Sequence, residues 1–367
     1  MKKIVPALIA CTALIAGAFI TSNIGFITRA YFARQAAPQR GGLDGIHTPA
    51  VNEYRFHYKD EAQFPLFSWI YAGFITDRKG AVYQFSCTYY AGPSSYYAGH
   101  MVFLKKLTGG KTGGEVLYKF DWKADEMRFS GTPGSVRFEA GSKKRGFEIN
   151  VSAARHTLKI WRGAEFALDL AFERMEPAFF YNHGDPIPLP SGDKLMLMDD
   201  FMGGKGSLRL GGVRTAVSAD VAHERVYSPA DQWQFGYEDW LCVFHEDFYA
   251  LIFITGERDR QGPGYGIRNG FVYFRKDKKY VPLDEMTVSD LKTEEVAVLK
   301  RGVSVRMKAP LSLRAEASGG NIRFEFDFER LGGAEERELA MKGRGSIEYN
   351  GARTNYDRVL AWEEFMR

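Results

Sequence analysis

The sequence predicts an all-β protein built from two antiparallel β-barrel or sandwich domains in tandem. Three observations predict this fold class. Aromatic residues make up 14% of the 367 residues, and 39 glycines and 14 prolines supply turns between short strands. Two aromatic strand pairs of similar chemistry occur, one in each half of the chain. Segments with alternating side-chain character recur at the spacing typical of sandwiches and barrels.

The two strand pairs justify the tandem arrangement. In the first half, residues 67–74 are followed by residues 80–89. In the second half, residues 235–245 are followed by residues 249–254. Each pair consists of an aromatic strand, a short polar turn and a second apolar strand. The repetition predicts two related β domains whose interiors are lined with aromatic rings, a shape suited to hydrophobic ligands.

A proline-rich break in composition divides the chain. We predict an N-terminal domain over residues 51–195 and a C-terminal domain over residues 196–367, with the crossing between residues 185 and 206. Helical patterns are few. One covers residues 283–291, and a short C-terminal helix is predicted from apolar residues at helical spacing, with Asn355 as its cap: Tyr356, Val359, Leu360 and Phe365.

Residues 1–34 are predicted to be a targeting element. Lys2 and Lys3 precede residues 4–28, which carry no charge, and Arg29 closes the segment. This pattern fits a cleaved signal peptide, and it fits equally an uncleaved membrane anchor. Residues 35–50 are predicted to be a linker. In both cases the body is expected in the cell envelope, with membrane contact through the N-terminal segment.

The charge distribution argues against a nucleic-acid partner. The formal net charge is +4, and four positive charges lie in the first 34 residues, which contain no acidic residue. The remainder of the chain is therefore formally neutral and has no basic face for a row of phosphates. The segment at residues 109–114 contains Gly-Lys-Thr but joins two predicted strands, which indicates a hairpin turn rather than a phosphate loop.

The cysteines predict neither a disulfide nor a metal site. Of the three cysteines, Cys11 lies in the targeting segment. Cys87 and Cys242 each alternate with bulky aromatic residues, so we expect two free, buried thiols in separate domains. Their spacing does not support metal binding. No cofactor is predicted.

Polar residues of catalytic type concentrate in the second half. In a strand, Tyr237, Asp239 and His245 share one face, while Glu238 and Trp240 share the other. A row that mixes a phenol, a carboxylate and an imidazole suits general acid–base chemistry. The alternative is that Asp239 and His245 face solvent at a barrel rim. The candidate catalytic residues are His223, Tyr237, Glu238 and Asp239, and the candidate ligand-binding residues are Trp69, Tyr71, Tyr83, Phe85 and Trp240.

Residues 67–73, Phe-Ser-Trp-Ile-Tyr-Ala-Gly, resemble the Trp-Trp-Tyr-x-x-Gly strand of the tandem-lipocalin family that includes carotenoid 1,2-hydratases, kievitone hydratase and AttH-like proteins. Residues 219–224 and 237–254 resemble the small-residue, histidine and hydrophobic-hairpin segment of the family's second domain. Two departures exist: a single tryptophan, Trp69, replaces the adjacent pair, and Asp-His-x-Trp-Gly is reduced to Ala-His-Glu-Arg-Val around His223. The resemblance implies two lipocalin-like, calycin-type domains.

The resemblance also implies a chemistry, namely addition of water to an apolar unsaturated substrate, or a related cyclisation or isomerisation. Our first expectation from the sequence is an exported binding protein that holds a lipid, sterol or isoprenoid in an aromatic cavity. The alternative is a hydratase, cyclase or isomerase that works by acid–base catalysis, with aromatic faces stabilising a cation. A third alternative is a structural module that binds a protein partner in the envelope.

Overall fold

The computed structural model describes residues 46–48, 66–91, 99–107, 115–123, 127–132, 135–152, 155–174, 178–181, 187–188, 194–228, 237–256, 268–300, 303–332 and 337–366. Nearly all of these residues lie in β-strands, so the all-β prediction is confirmed. The predicted targeting segment lies outside them. Within the described residues, no helix is long and apolar enough to cross a membrane.

The first sheet is antiparallel and runs in the order β5-β4-β3-β2-β14-β13-β10-β9-β8-β7-β6. Three short strands join it off this path, with β1 on β11, and β11 and β12 on β13. Its strands are β1 (Ile46–Thr48), β2 (Leu66–Asp77), β3 (Val82–Ala91), β4 (Gly99–Leu107), β5 (Glu115–Lys123), β6 (Met127–Thr132), β7 (Ser135–Gly141), β8 (Arg145–Ser152), β9 (Arg155–Arg162), β10 (Phe166–Arg174), β11 (Ala178–Phe180), β12 (Ile187–Pro188), β13 (Lys194–Leu210) and β14 (Val213–Ser228).

The second sheet is also antiparallel and runs in the order β18-β17-β16-β15-β23-β22-β21-β20-β19. Its strands are β15 (Tyr237–Phe244), β16 (Phe248–Gly256), β17 (Arg268–Phe274), β18 (Lys279–Pro282), β19 (Glu285–Lys300), β20 (Val303–Gly319), β21 (Ile322–Arg330), β22 (Glu338–Tyr349) and β23 (Ala352–Met366). The aromatic strand pairs of the sequence form the hairpins β2–β3 and β15–β16, as predicted.

Both sheets curl so that one face of each becomes an interior. In the first sheet, Tyr118 of β5 stacks on Phe166 of β10 with ring centroids 3.9 Å apart, although six ladders separate the two strands along the sheet. In the second sheet, the rings of Phe248 on β16 and Phe326 on β21 lie 6.0 Å apart. The predicted pair of lipocalin-like domains is thus confirmed as two curled half-barrel sheets.

The predicted C-terminal helix is wrong, and so is the helical pattern at residues 283–291. Residues 352–366 form β23, and residues 285–300 form β19. The error at β23 has a physical cause. Val359 and Phe365 belong to the interior core of the second sheet, while Trp362 packs on its other face, so the strand is apolar on both sides. A strand buried on both faces loses the alternation that distinguishes it from a helix.

The change from one sheet to the other falls later than the predicted crossing at residues 185–206. Both β13 and β14 belong to the first sheet, because β13 pairs with β10 and β14 pairs with β2. The second sheet begins at Tyr237, so the chain passes between sheets after Ser228. The predicted limit between residues 195 and 196 therefore lies inside β13, a long strand that completes the first sheet.

The outer faces of the two sheets pack on each other. Phe74 of β2 meets Phe244 of β15 edge-on, with ring centroids 5.6 Å apart. Two hydrogen bonds cross the same contact: the Ser86 hydroxyl donates to Glu338 Oε1 at 2.8 Å, and the Tyr249 hydroxyl donates to Asp220 Oδ1 at 3.0 Å. Among the residues that the structure describes, there are thus an interior core in each sheet and a further apolar layer between the sheets.

The two remaining cysteines are free and buried, as predicted. Cys87 lies in the interior core of the first sheet, and Cys242 lies in the layer between the sheets. Burial raises the pKa of both thiols well above the ordinary value, with nearby carboxyl groups adding to the effect. Both thiols therefore stay protonated and unreactive at neutral pH.

Close backbone contact at Gly206 gives a stability prediction. A Cβ atom at this position of β13 would lie 1.8 Å from the carbonyl oxygen of Asp169 on β10, where no flexible side chain can move aside. We expect Gly206→Ala to lower the free energy of unfolding by roughly 3 kcal/mol or more, because the strands must separate. Gly211→Ala is the matched control: its backbone has φ +55° but nothing within 4 Å, so a loss of only about 1–2 kcal/mol is expected. Urea unfolding of both variants tests this, and equal losses would contradict it.

Candidate active site

The candidate site lies on the inner face of the first sheet, at the middle of one cross-strand row. Asp200 of β13 is opposite His223 of β14, His223 is opposite Tyr71 of β2, and Tyr71 is opposite Cys87 of β3. Directly opposed side chains in antiparallel strands lie within contact distance. All four are at most 1% exposed. The sheet register therefore brings a carboxylate, an imidazole and a phenol together inside an apolar core.

His223 makes a hydrogen bond to a backbone carbonyl and packs against aromatic rings. Its Nδ1 lies 3.0 Å from the carbonyl oxygen of Ile70. Because a carbonyl only accepts, Nδ1 carries the proton, and Nε2 is the basic nitrogen of the neutral ring. The imidazole stacks on Tyr71 at a centroid distance of 4.4 Å and an interplanar angle of 13°, and the Trp69 ring lies 5.5 Å away. These contacts fix the orientation of the ring.

A second histidine, His156 of β9, completes the group. Its Nδ1 and the Tyr71 hydroxyl lie 2.9 Å apart and share a hydrogen bond. The His156 ring meets His223 edge-on, with centroids 5.1 Å apart. The phenol donates when Nδ1 is unprotonated and accepts when it is protonated, so a proton can be exchanged between these two groups. Two imidazoles and a phenol thus form one buried, connected set.

Sequence reasoning missed His156, although a signal existed. In β9, His156 alternates with Leu158 and Ile160, which belong to the interior core of the first sheet. A histidine in an inward-facing apolar row could have been singled out on that ground. The catalytic residues predicted from the sequence lie close together along the chain, whereas the structure combines residues from β2, β9, β13 and β14.

A partly buried arginine, Arg174, and a buried one, Arg225, set the electrostatics of the site. Arg174 Nε donates to Asp200 Oδ2 in an ion pair whose carboxylate side chain is fully buried. Arg225 is 2% exposed and lies over the Trp69 ring, with its Cζ 3.9 Å from the centroid. The first pair places a carboxylate and its counter-ion across the ladder from His223. The second is a desolvated cation–π contact on the ring that also packs on His223.

The structure places the other predicted residues in three different environments. Trp69, Tyr71, Tyr83 and Phe85 lie with His223 on the inner side of the first sheet. Trp240 lies in the layer between the sheets. Asp239 is fully buried on the inner face of the second sheet, since it alternates with Trp240 and shares the face of Leu241. It is therefore not brought next to His223.

For Tyr237 and Glu238 the structure describes only the backbone, which lies opposite Gly256 and Thr255 in the β15–β16 ladder. Their side chains lie outside the described residues, and their catalytic roles stay predictions. His245 ends the same row and is not buried. Its Nδ1 lies 3.4 Å from Asp247 Oδ2 at the turn between β15 and β16. The sequence left open whether His245 faces solvent at a barrel rim; at this turn its side chain is 19% exposed.

A further acidic group lies between the sheets, on the opposite face of β13 from the site. The Tyr181 hydroxyl donates to Asp199 Oδ2 at 2.5 Å. Burial raises the pKa of Asp199 to about 7, the hydrogen bond from Tyr181 lowers it, and the charge of Asp200 raises it further. Glu224 is the cross-strand neighbour of Asp199 and is 5% exposed. Asp199 is therefore coupled electrostatically to the site through Asp200, the next residue on β13.

Two curled antiparallel sheets in tandem, packed through their outer faces, define a tandem lipocalin-like protein. Comparison with solved structures agrees. An AttH-like protein of Nitrosomonas europaea superposes with a TM-score of 0.58 at 12% identity, over 85% of this chain and 95% of that one. Kievitone hydratase from Nectria haematococca superposes with a TM-score of 0.52 at 14% identity, over 90% of this chain and 97% of that one.

At these identities the comparison establishes the fold, and it confirms the resemblance drawn from residues 67–73, 219–224 and 237–254 at that level. No protein-family model and no curated protein sequence matches the chain. The particular reaction must therefore be argued from the site itself.

Proposed function

We propose that this protein is an acid–base catalyst that adds water to, cyclises or isomerises an unsaturated apolar compound inside the first curled sheet. The observation that carries the proposal is the buried set of His223, Tyr71 and His156, enclosed by aromatic rings and bordered by the Asp200–Arg174 ion pair. A solely hydrophobic carrier needs rings but has no need of a connected proton-exchange group. The shared fold with a hydratase supports the same class of chemistry.

The chemistry follows from the groups present. A protonated imidazole or the Tyr71 phenol transfers a proton to one carbon of a double bond, which leaves a cation on the other carbon. The faces of Trp69 and Tyr71 and the Asp200 carboxylate stabilise that cation. In a hydration, water adds to the cation and a histidine takes its proton. In a cyclisation or isomerisation, the cation instead adds to a second double bond or loses a proton to the same histidine.

A second candidate function is ligand binding without turnover, the first expectation from the sequence. The aromatic lining favours ligand binding, because one interior face carries four aromatic side chains that are each at most 5% exposed: Trp69, Tyr71, Tyr83 and Phe85. For both functions, we propose that the protein is located in the cell envelope. It depends on the segment at residues 4–28, and fractionation of cells that express the whole chain tests it.

Deuterium incorporation separates the catalyst from the carrier. The full chain would be incubated in D2O with geranylgeraniol or squalene, two apolar polyenes used as probes, and the extracts would be analysed by mass spectrometry. We expect carbon-bound deuterium in the probe or its product, and a roughly 10²-fold slower incorporation with Tyr71→Phe, which keeps the ring but removes the hydroxyl. Probe that co-purifies without deuterium supports the carrier. Neither deuterium nor co-purification with either probe would contradict both functions.

A further inference from the structure

Four hairpin turns of the first sheet lie side by side at one end of its strands. They join β2 to β3, β13 to β14, β9 to β10 and β7 to β8, and these strand pairs follow one another in that order across the sheet. The ladders between them fix the common end: Asp77 is opposite Val217, Leu210 is opposite Phe166, and the β8–β9 ladder ends at Arg162. We define the turn end as residues 77–81, 141–146, 162–166 and 209–214.

The turn end has an excess of positive charge. Within its four ranges two side chains are acidic, Asp77 and Glu165. Eight are basic: Arg78, Lys79, Lys143, Lys144, Arg145, Arg162, Arg209 and Arg214. All of the basic residues except Arg209 are exposed to solvent. The chain from residue 35 onward is formally neutral, but the fold does not spread its charges evenly, so the balance seen in the sequence does not hold at this end.

The two acidic groups leave most of this charge in place. Asp77 Oδ1 accepts hydrogen bonds from the backbone N–H groups of Lys79 and Ala81, at 2.8 and 2.9 Å, so this carboxylate closes its own turn. Glu165 Oε2 lies 3.9 Å from Arg162 in an exposed ion pair, a kind of contact that contributes little. Basic groups therefore dominate the potential at the turn end.

Two ladders bring arginines directly opposite each other at this end. Arg145 is opposite Arg162 in the β8–β9 ladder, and Arg209 is opposite Arg214 in the β13–β14 ladder. Like charges at directly opposed positions of antiparallel strands are destabilising. Such an arrangement is expected where an anionic partner neutralises the arginines on binding.

An exposed apolar side chain lies among these charges. Val213, at the tip of the β13–β14 hairpin, is 69% exposed, and residues 213–216 extend beyond the end of the β14–β2 ladder. A single exposed valine is ordinary on a protein surface. An apolar tip surrounded by basic residues, however, is typical of a surface that contacts a lipid bilayer, where basic groups meet the headgroups and apolar groups enter the acyl boundary. A nucleic acid would use the charges but not Val213.

We propose that the turn end of the first sheet docks on an anionic membrane surface, with its lysines and arginines on lipid phosphates and Val213 at the acyl boundary. This contact belongs to the folded body and is separate from any insertion of residues 4–28. It requires no particular reaction in the site, so failure of either proposal leaves the other standing. Docking would hold the first sheet against the phase in which apolar compounds dissolve.

Hydrogen exchange of the full chain, followed by mass spectrometry, tests the docking. The protein would be mixed with vesicles of equal parts phosphatidylglycerol and phosphatidylcholine, and separately with vesicles of phosphatidylcholine alone. Residues 4–28 can insert into both, so only protection at the turn end reports the docking. We expect backbone exchange there to slow on the anionic vesicles alone, while the turn at residues 245–248 of the second sheet is unchanged. No slowing on anionic vesicles, or equal slowing on both kinds, overturns the proposal.

Two variants of equal net charge test the role of the lysines. The first, K79Q/K143Q/K144Q, removes three exposed lysines of the turn end. The second, K276Q/K292Q/K308Q, removes three exposed lysines of the second sheet. We expect the lipid concentration that gives half of the protection to rise roughly tenfold or more in the first variant and to stay unchanged in the second. An equal effect of both variants, or none in the first, overturns the docking.

Val213→Ser separates a bilayer from a soluble polyanion. We expect this variant to raise the half-protection lipid concentration about threefold, because an exposed valine loses its place at the acyl boundary. A DNA oligonucleotide, used as the polyanion probe, should slow exchange at the turn end less than anionic vesicles do at the same phosphate concentration. Stronger protection by the oligonucleotide, or no effect of Val213→Ser on vesicle binding, would assign the turn end to a nucleic acid or another soluble polyanion and overturn the proposal.

Discussion

Replacing His223 by glutamine is expected to lower turnover of a deuterium-labelled probe roughly 10²-fold or more, while both sheets remain folded. The loss follows from removing the only atom of that side chain, Nε2, that can take up and release a proton. Retention of the fold follows from the bond at Nδ1: a glutamine amide can still donate to the Ile70 carbonyl, which accepts at 3.0 Å in the wild type. Initial rates under saturating probe, together with far- and near-ultraviolet circular dichroism, provide the measurement.

His245→Gln is the matched control for this experiment. His245 lies at the β15–β16 turn, where its ring contacts Phe248 and Tyr356 of the second sheet. It has the same chemistry as His223 but no contact with the site, so its replacement should leave turnover unchanged. Normal turnover by a folded His223→Gln protein would remove the histidine from the mechanism and favour the carrier. An equal loss in both variants would point to a general effect on folding.

The strands could be predicted because their signals are local. The hairpins β2–β3 and β15–β16 each combine an aromatic alternation with a short polar turn, so a single window of sequence contains the whole motif. The terminal strand β23 could not be predicted in this way. Its apolar residues face two different cores, and only the packing of the sheets on each other shows why both faces are apolar.

The candidate site was predicted in part, and the missing part is non-local. His223, Trp69 and Tyr71 were all singled out, but their contact depends on the pairing of β14 with β2, which no local pattern specifies. The same pairing accounts for the late change of sheet after Ser228. His156 and Arg174 come from β9 and β10, far along the chain from His223. Asp239 and Trp240 are both predicted site residues, although strand alternation already assigns them to opposite faces of β15; in the structure, Trp240 lies between the sheets and Asp239 on the inner face of the second sheet.

Strand alternation also links the site to the contact between the sheets. Asp199 and Asp200 are consecutive on β13, so Asp200 faces the site and Asp199 faces the layer between the sheets. The charge of Asp200 raises the pKa of Asp199. Any event in the site that neutralises Asp200 therefore favours ionisation of Asp199 between the sheets. The two compartments are separated by one strand and connected by electrostatics across it.

Asp199 should make the protein less stable as the pH rises from about 4 to about 7. Its pKa is raised in the folded state from 3.8 to about 7, chiefly by burial, so the folded protein holds a proton that the unfolded chain releases. Stability from this group is complete below the unfolded pKa and is lost as the pH rises through the folded pKa. A shift of this size corresponds to a loss on the order of 4 kcal/mol at neutral pH.

Asp199→Asn tests this dependence, because the amide is neutral at every pH and still accepts the hydrogen bond that Tyr181 donates to Asp199. We expect the variant to be more stable than the wild type at pH 7 and no more stable at pH 4, as measured by urea unfolding at both pH values. Burial also raises the pKa of Glu363, so this group changes stability with pH in the same direction as Asp199. Both proteins should therefore carry Glu363→Gln, which leaves Asp199 as the buried carboxyl group under test.

Asp327→Asn is the control of opposite sign. The Arg314 hydrogen bond and charge lower the pKa of this exposed carboxylate, so its small contribution is lost as the pH falls. A difference between wild type and Asp199→Asn that is the same at pH 4 and pH 7 would show that Asp199 is ionised throughout, and that its hydrogen bond with Tyr181 outweighs its burial.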